Sequence, residues 1–177
     1  MGLVVFLLAA ACGDSPTPAS TTQESCAPDG SLSVAIYGEI SGELAWNGVE
    51  LRCSGMPRPN GAGARLHFAG TLRDTDQDRT LAFIIGLPEL KPGETVRETP
   101  ARITLMEENN GRFFSTATAD ICWSDVYAHR EPAEAAEHHS VSGRAYCVAP
   151  LAEVNGSGGV TLSELEFTGR IAWGEPL

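Results

Sequence analysis

The sequence predicts an all-β domain: an antiparallel β-sandwich or a Greek-key barrel of about eight or nine strands, with at most one short helix in a loop. Three observations predict it. Apolar residues recur at every second position through most of the chain, turn residues interrupt them at short intervals, and a single segment carries a helix start signal.

From Leu32 to Trp46 the even positions hold Leu32, Val34, Ile36, Ile40, Leu44 and Trp46, while Ser33, Glu39, Ser41 and Glu43 take odd ones. That is the period of a strand buried on one face. So long a run should break at Gly38 or Gly42 into two strands. Val49, Leu51 and Cys53 continue the alternation, a turn-rich stretch from Gly55 to Gly61 follows, and the pattern resumes at Leu66, Phe68 and Leu72 with His67 pointing outward. Leu81 to Leu87 is nearly all apolar and reads as a central strand covered on both faces, ended by Pro88. Pro92-Gly93 marks a turn, Ile103 and Leu105 alternate with Arg102 and Thr104, and Asn109-Asn110-Gly111 is a hairpin turn. One strand is expected from about Arg112 to Asp125, its register open because Phe113 and Phe114 both ask to be buried.

The helix candidate is Glu131 to His139, with Pro132 suited to a first turn and Ala133, Ala135 and Ala136 inside. Strands then return, with Val141, Gly143, Ala145 and Cys147 on one face, a turn at Gly156-Ser157-Gly158-Gly159, and Leu165, Phe167, Ile171 and Trp173 against Glu164, Glu166 and Arg170. Gly42-Glu43-Leu44-Ala45-Trp46 and Gly169-Arg170-Ile171-Ala172-Trp173 share a pattern, and alternation assigns both tryptophans to the core. The side on which Trp123 lies is left open.

At 177 residues the chain suits one compact domain. Its net charge of -11, with eleven of its twelve bases arginine and Lys91 the single lysine, argues against a nucleic-acid partner, which needs a basic face. Leu3 to Ala11 is an apolar run of nine residues, too short for a bilayer core of about 30 Å, and reads as the core of a signal peptide. Leu8-Ala9-Ala10-Ala11-Cys12 resembles the lipobox of bacterial prolipoproteins. The resemblance implies cleavage before Cys12, a lipid on its thiol and a membrane-anchored protein in the cell envelope, with its domain outside the cytoplasm. Gly13 to Ser25, GDSPTPASTTQES, has nothing large and apolar to bury and reads as a tether. The chain thus divides into a signal peptide (1–11), a lipidated cysteine with its tether (12–25) and one β-rich domain (26–177).

With Cys12 assigned to the lipid, Cys26, Cys53, Cys122 and Cys147 remain, an even number suited to two disulfides in an oxidising compartment. The expected pairs are Cys26 with Cys53 and Cys122 with Cys147, each closing a local segment and together stapling neighbouring strands. A zinc site is disfavoured, since there is no C-x-x-C pair and no His lies within five positions of these cysteines.

Asp74, Asp76 and Asp78 alternate as the first ligands of a calcium loop do, but Arg79 stands where that loop needs Gly and Ile85 where it needs Glu. No cofactor is expected, and a solvated turn is the simpler reading. His129, Glu134, His138 and His139 surround the helix candidate without a spacing that fixes a third metal ligand. Pro57-Arg58-Pro59 is a stiff loop able to present Arg58 to an anionic group, or a surface turn whose Arg packs on its own domain. No G-x-S-x-G, dinucleotide fingerprint or P-loop is present. Two functional classes follow. A fold that gathers Asp120, Asp125 and His129 would favour hydrolysis, whereas Trp123 and Tyr127 facing solvent together would favour binding of carbohydrate, peptide or protein. Binding, or a structural envelope role, is the expectation.

Overall fold

In the computed structural model, residues 26, 29–59, 62–74, 77–116, 120–130 and 138–174 are described. The signal-peptide, lipidation and tether assignments, Asp76 and most of the helix candidate (131–137) lie outside them. The strands are β1 (Ser31–Gly38), β2 (Gly42–Asn47), β3 (Arg52–Pro57), β4 (Ala64–Leu72), β5 (Arg79–Leu87), β6 (Val96–Pro100) and β7 (Arg102–Glu107). They continue as β8 (Arg112–Ser115), β9 (Cys122–Arg130), β10 (His138–Cys147), β11 (Leu151–Glu153), β12 (Gly159–Leu162) and β13 (Leu165–Ala172). The fold is all-β and antiparallel, with one 3-10 turn at Gly48–Glu50.

Among the described residues thirteen strands replace the eight or nine expected. The excess lies in short pieces, β6, β8, β11 and β12, of three to five residues each, too brief for alternation to register. The single strand expected from Arg112 to Asp125 is two, β8 and β9, with Phe114 buried and Phe113 exposed. His138 and His139, placed at the end of a helix by the sequence reading, open β10. Val49 does not continue a strand but stands fully exposed in the 3-10 turn, and the turn expected from Gly55 to Gly61 begins later, because β3 runs through Pro57. Proline is tolerated there because β3 is an edge strand.

The hydrogen-bonded order runs β3-β4-β5-β7-β8-β11-β12-β1-β13-β10-β9-β6, with β2 on the other side of β1, and the path is open, ending at β3 and β6. One of its members, β1, belongs to both halves. β12 and β13 run along β1 as one bent line: Ile36 faces Leu162 and Ser33 faces Glu166, so three residues stand opposite two. Ser163 secures the bend, its N–H donating to the Ala35 carbonyl at 2.9 Å and its hydroxyl oxygen accepting from the Ala35 N–H at 2.8 Å. Beyond this line β12 leads through β11 towards β3, and β13 leads through β10 towards β6.

The halves face each other across the core. Phe68 of β4 meets Phe167 of β13 with ring centroids 6.1 Å apart, and Trp46 of β2 meets Phe83 of β5 edge-on at 6.2 Å. Trp46 is buried, and its indole N–H donates to the Thr71 carbonyl at 2.9 Å, which satisfies the polar tip of a large apolar ring. Gly70 makes room for it: a Cβ there would lie 2.6 Å from the Trp46 ring. The hairpin joining β1 to β2 turns at Gly38, whose φ of +110° few other residues adopt, so the long alternating run breaks where it was expected to. Trp173, assigned to the core, is only half-buried at the end of β13.

Both disulfides join the expected partners, Cys26 with Cys53 and Cys122 with Cys147. Cys122 and Cys147 are directly opposed in the β9–β10 ladder, so this bridge staples two strands already paired. Cys122 faces inward and is fully buried, which puts its neighbour Trp123 on the outer side.

Candidate functional site

Strand β9 organises the outer face of the second half. Cys122, Ser124 and Val126 are buried, so Trp123 and Asp125 point outward. On β10, Tyr146 pairs with Trp123 and Arg144 with Asp125, and on β13, Glu166 pairs with Arg144. Two bulges then concentrate side chains around Asp125. Gly143 pairs with Val126 but Ser142 with Ala128, which leaves Tyr127 as an extra residue on β9, 57% exposed. On the other flank Val96 pairs with Val126 and Thr99 with Ser124, so two residues of β6 stand opposite Asp125 alone. Bulges re-aim side chains and free backbone groups in this way.

The freed group is the Glu98 N–H, and it donates to Asp125 Oδ1 at 2.7 Å. Glu98 has φ of +49°, a conformation costing a side-chain-bearing residue about 1–2 kcal/mol, which this charge-assisted hydrogen bond offsets. The other carboxylate oxygen takes the Arg144 Nε–H at 2.9 Å, and Arg144 Nη1 lies 3.0 Å from Glu164 Oε2. The Glu98 amide first, and Arg144 second, hold the Asp125 carboxyl below its ordinary range against the opposing effect of burial. The hydrogen bond to Asp125, with the Glu164 charge, raises the Arg144 guanidinium. Tyr127 Oη donates to Glu166 Oε2 at 2.8 Å, and its phenol is pushed up by burial and by that carboxylate.

Between these groups lies an open depression of about 320 Å³ lined by Arg97, Asp125, Tyr127, Arg144 and Glu166. One end of the face is aromatic, where Trp123 and Tyr146 stack at 6.1 Å with an interplanar angle of 25°. Along β9 at about 3.3 Å per residue, the span from Trp123 to Tyr127 is about 13 Å. The face therefore presents rings, an ion-paired polar row between them, and a hollow. It carries hydrogen-bonding groups of fixed direction and, among the described residues, no nucleophile paired with a base.

Trp123, Asp125 and Tyr127 are thus brought to one face. The three residues on which hydrolysis would depend are not brought together. Asp120 lies before β9 and pairs with Arg102 at 2.9 Å, Asp125 is engaged as above, and His129 faces the other side of the sheet, its Nδ1 on the Glu94 carbonyl at 2.9 Å. Arg58 is half-buried with its N–H on the Gly63 carbonyl, closing the turn between β3 and β4. Asp74 and Asp78 lie on the connection between β4 and β5, Asp74 facing Arg79 at 4.0 Å. Among the described residues no three His, Cys, Asp or Glu side chains converge as metal ligands would. Also among them, no helix is long and apolar enough to cross a membrane.

Arg144, Tyr146, Glu166 and Arg97 escaped the sequence reading. Only Glu166 was named there, on the polar side of its strand, and what makes the four a site is cross-strand register, which no local spacing encodes. Compared with known proteins, the chain matches no family model, and neither a curated protein nor a solved structure is significantly similar to it.

Proposed function

We propose that this chain is an exported protein, anchored by a lipid on Cys12, that binds an extended neutral polyhydroxylated ligand of the glycan type on the outer face of β9, β10 and β13. The observation that carries the reading is the exposed Tyr127 and the stacked Trp123–Tyr146 pair at the two ends of one polar row. Aromatic rings offer apolar faces to the C–H side of a sugar, and fixed carboxylate and guanidinium groups meet its hydroxyls. Charge balance favours a neutral ligand over an ionic one. Arg144 is already shared by Asp125 and Glu164, and the acidic chain repels polyanions. Export is supported by the two disulfides, which persist in oxidising compartments. The two inner faces meeting through Phe68, Phe167, Trp46 and Phe83 support a sandwich over a barrel.

A glycan array followed by calorimetry tests the ligand. Binding of a neutral glycan that is lost in Tyr127→Ala supports the reading; binding of peptides alone, or glycan binding indifferent to Tyr127 and Trp123, refutes it. Intact-mass analysis tests the anchor, which requires a mature chain starting at Cys12 with acyl mass on it.

A further inference from the structure

The bulge at Tyr127 has a second effect on β9. Val141 pairs with His129 and Gly143 with Val126, so the phase of the strand shifts and both Val126 and His129 face the inner side. There the imidazole is held on both nitrogens. Nδ1 lies 2.9 Å from the Glu94 carbonyl oxygen, while Nε2 faces two donors, the Trp173 indole N–H at 3.1 Å and the Gly93 N–H at 3.3 Å. One protonation state satisfies all three contacts: the neutral ring with its proton on Nδ1. Trp173 stacks on the ring at 5.9 Å, and the buried His139 meets it edge-on at 4.9 Å, with its own Nδ1 unpartnered.

Among the described residues no carboxylate faces this ring. From β10 it meets His139; from the turn before β6 it meets the Glu94 backbone, the Glu94 carboxylate being turned to Lys91 at 3.8 Å; from the end of β13 it meets Trp173. Arg130 and Arg170 both pair with Ser140 and, like His138, alternate to the outer side.

We propose that His129 is an acid-released latch, tying the 91–94 turn and Trp173, the residue after β13, to β9 while neutral and letting both go when Nε2 is protonated. A proton on Nε2 turns two acceptor bonds into donor-to-donor contacts and places a cation beside His139, with no counter-charge among the described residues. The 91–94 turn leads directly into β6, an edge strand paired with β9 alone, so release of the turn loosens β6. The latch stands whatever the outer face binds.

Its direction follows from the surroundings. Burial holds His129 below the ordinary imidazole value of 6.5, the Glu94 carbonyl opposes this and the neighbouring His139 adds to it. With the folded value depressed, the unfolded chain takes up the proton first. The latch is therefore fully closed above the ordinary value and is lost as pH falls through the folded one.

Nuclear magnetic resonance on the full-length chain decides it. At pH 8 the His129 ring should show the Nδ1-protonated tautomer, and on acidification the Trp173 indole and Gly93 amide signals should move together with one midpoint below 6.5. Trp173→Phe removes a donor that favours the neutral ring while keeping the stack, and should raise the His129 midpoint. His129→Gln should abolish the joint transition. An Nε2-protonated tautomer at pH 8, signals that stay fixed down to pH about 4.5, an unmoved midpoint in Trp173→Phe or a transition surviving in His129→Gln each overturns the proposal. Should His129→Gln fail to fold, the tautomer and the shared midpoint in the unaltered chain decide alone.

Discussion

Arg112 and Arg144 each hold more than one carboxylate, and they do opposite things with them. Arg112 on β8 donates from Nε to Glu153 at 2.7 Å and from Nη2 to Glu39 at 3.0 Å, lies over the Phe114 ring, and brings Nη1 to 3.9 Å from Glu107. Glu107 is 1% exposed, and Arg79 at 3.7 Å is its other cation. Arg144 holds Asp125 and Glu164, but the partner beneath it is not sealed and its side chain is 42% exposed beside a depression. The first arrangement neutralises a charge the core has swallowed; the second fixes the direction of groups that remain open to solvent. Equal chemistry thus serves stability in one place and presentation in the other, and burial of the carboxylate is the difference.

Removing Arg112 should break the comparison most visibly. Arg112→Met leaves Glu107 with Arg79 alone, and loss of a partner from a buried charge costs about 3 kcal/mol. In thermal unfolding this is a fall of roughly 6–12 °C for a domain of this size. Adding Glu107→Gln should recover part of the loss, and a double-mutant cycle with no coupling between the two would show that Glu107 does not depend on Arg112.

Arg144→Met should leave the unfolding midpoint close to that of the parent while weakening the proposed glycan binding about tenfold, as loss of one hydrogen bond to a charged group implies. Calorimetry and thermal unfolding on one sample separate the two effects. A large stability loss with intact binding would place Arg144 in the same class as Arg112.

Acid should act on Asp125 in a readable direction. Its folded carboxyl is held below the ordinary range, so it contributes stability that is present above the unfolded value and lost as pH falls through the folded one. Asp125→Asn should flatten that limb of the stability profile, below the ordinary carboxylate value of 3.8. A profile unchanged by the substitution would mean that the Glu98 amide and Arg144 do not favour the ionised form. The smallest effect expected is that of Tyr127→Phe, which removes the hydroxyl from Glu166 but keeps the ring: a few-fold loss of binding, against a much larger loss in Tyr127→Ala. Equal losses in the two variants would move the interaction from the ring to the hydroxyl.

The core was legible because its alternation is local. Leu32, Val34, Ile36, Leu66, Phe68, Leu165 and Phe167 all lie where period two assigns them. The pattern fails at bulges, each of which resets the phase: at Ser163, where β12 passes into β13, and at Tyr127, beyond which His129 turns inward. Sequence alternation carries no notice of such a reset, and counting by twos from Asp125 puts His129 on the outer face, which it does not occupy. Trp123 and Tyr127 could be singled out as surface aromatics, yet their partners come from β10 and β13, about 20 and 40 residues further on. The disulfides were legible for the contrary reason, since each closes a local segment, of 27 and 25 residues; only Cys122–Cys147 also joins neighbouring strands, because Cys26 precedes β1 and β1 does not pair with β3.

The bridge from Cys26 to Cys53 also determines how the domain carries load. A pull on the chain ahead of Cys26 passes through sulfur directly into β3, and the residues between the two cysteines are bypassed. Those residues include β1 and β2. β1 is the strand that borders both halves of the sheet, and it is thereby kept out of the line of tension. Under reducing conditions the same pull would run along β1 itself and peel it from β2, β12 and β13. The redox state of one bridge thus decides whether a tug on the N-terminal side is borne at the rim of the domain or at its centre.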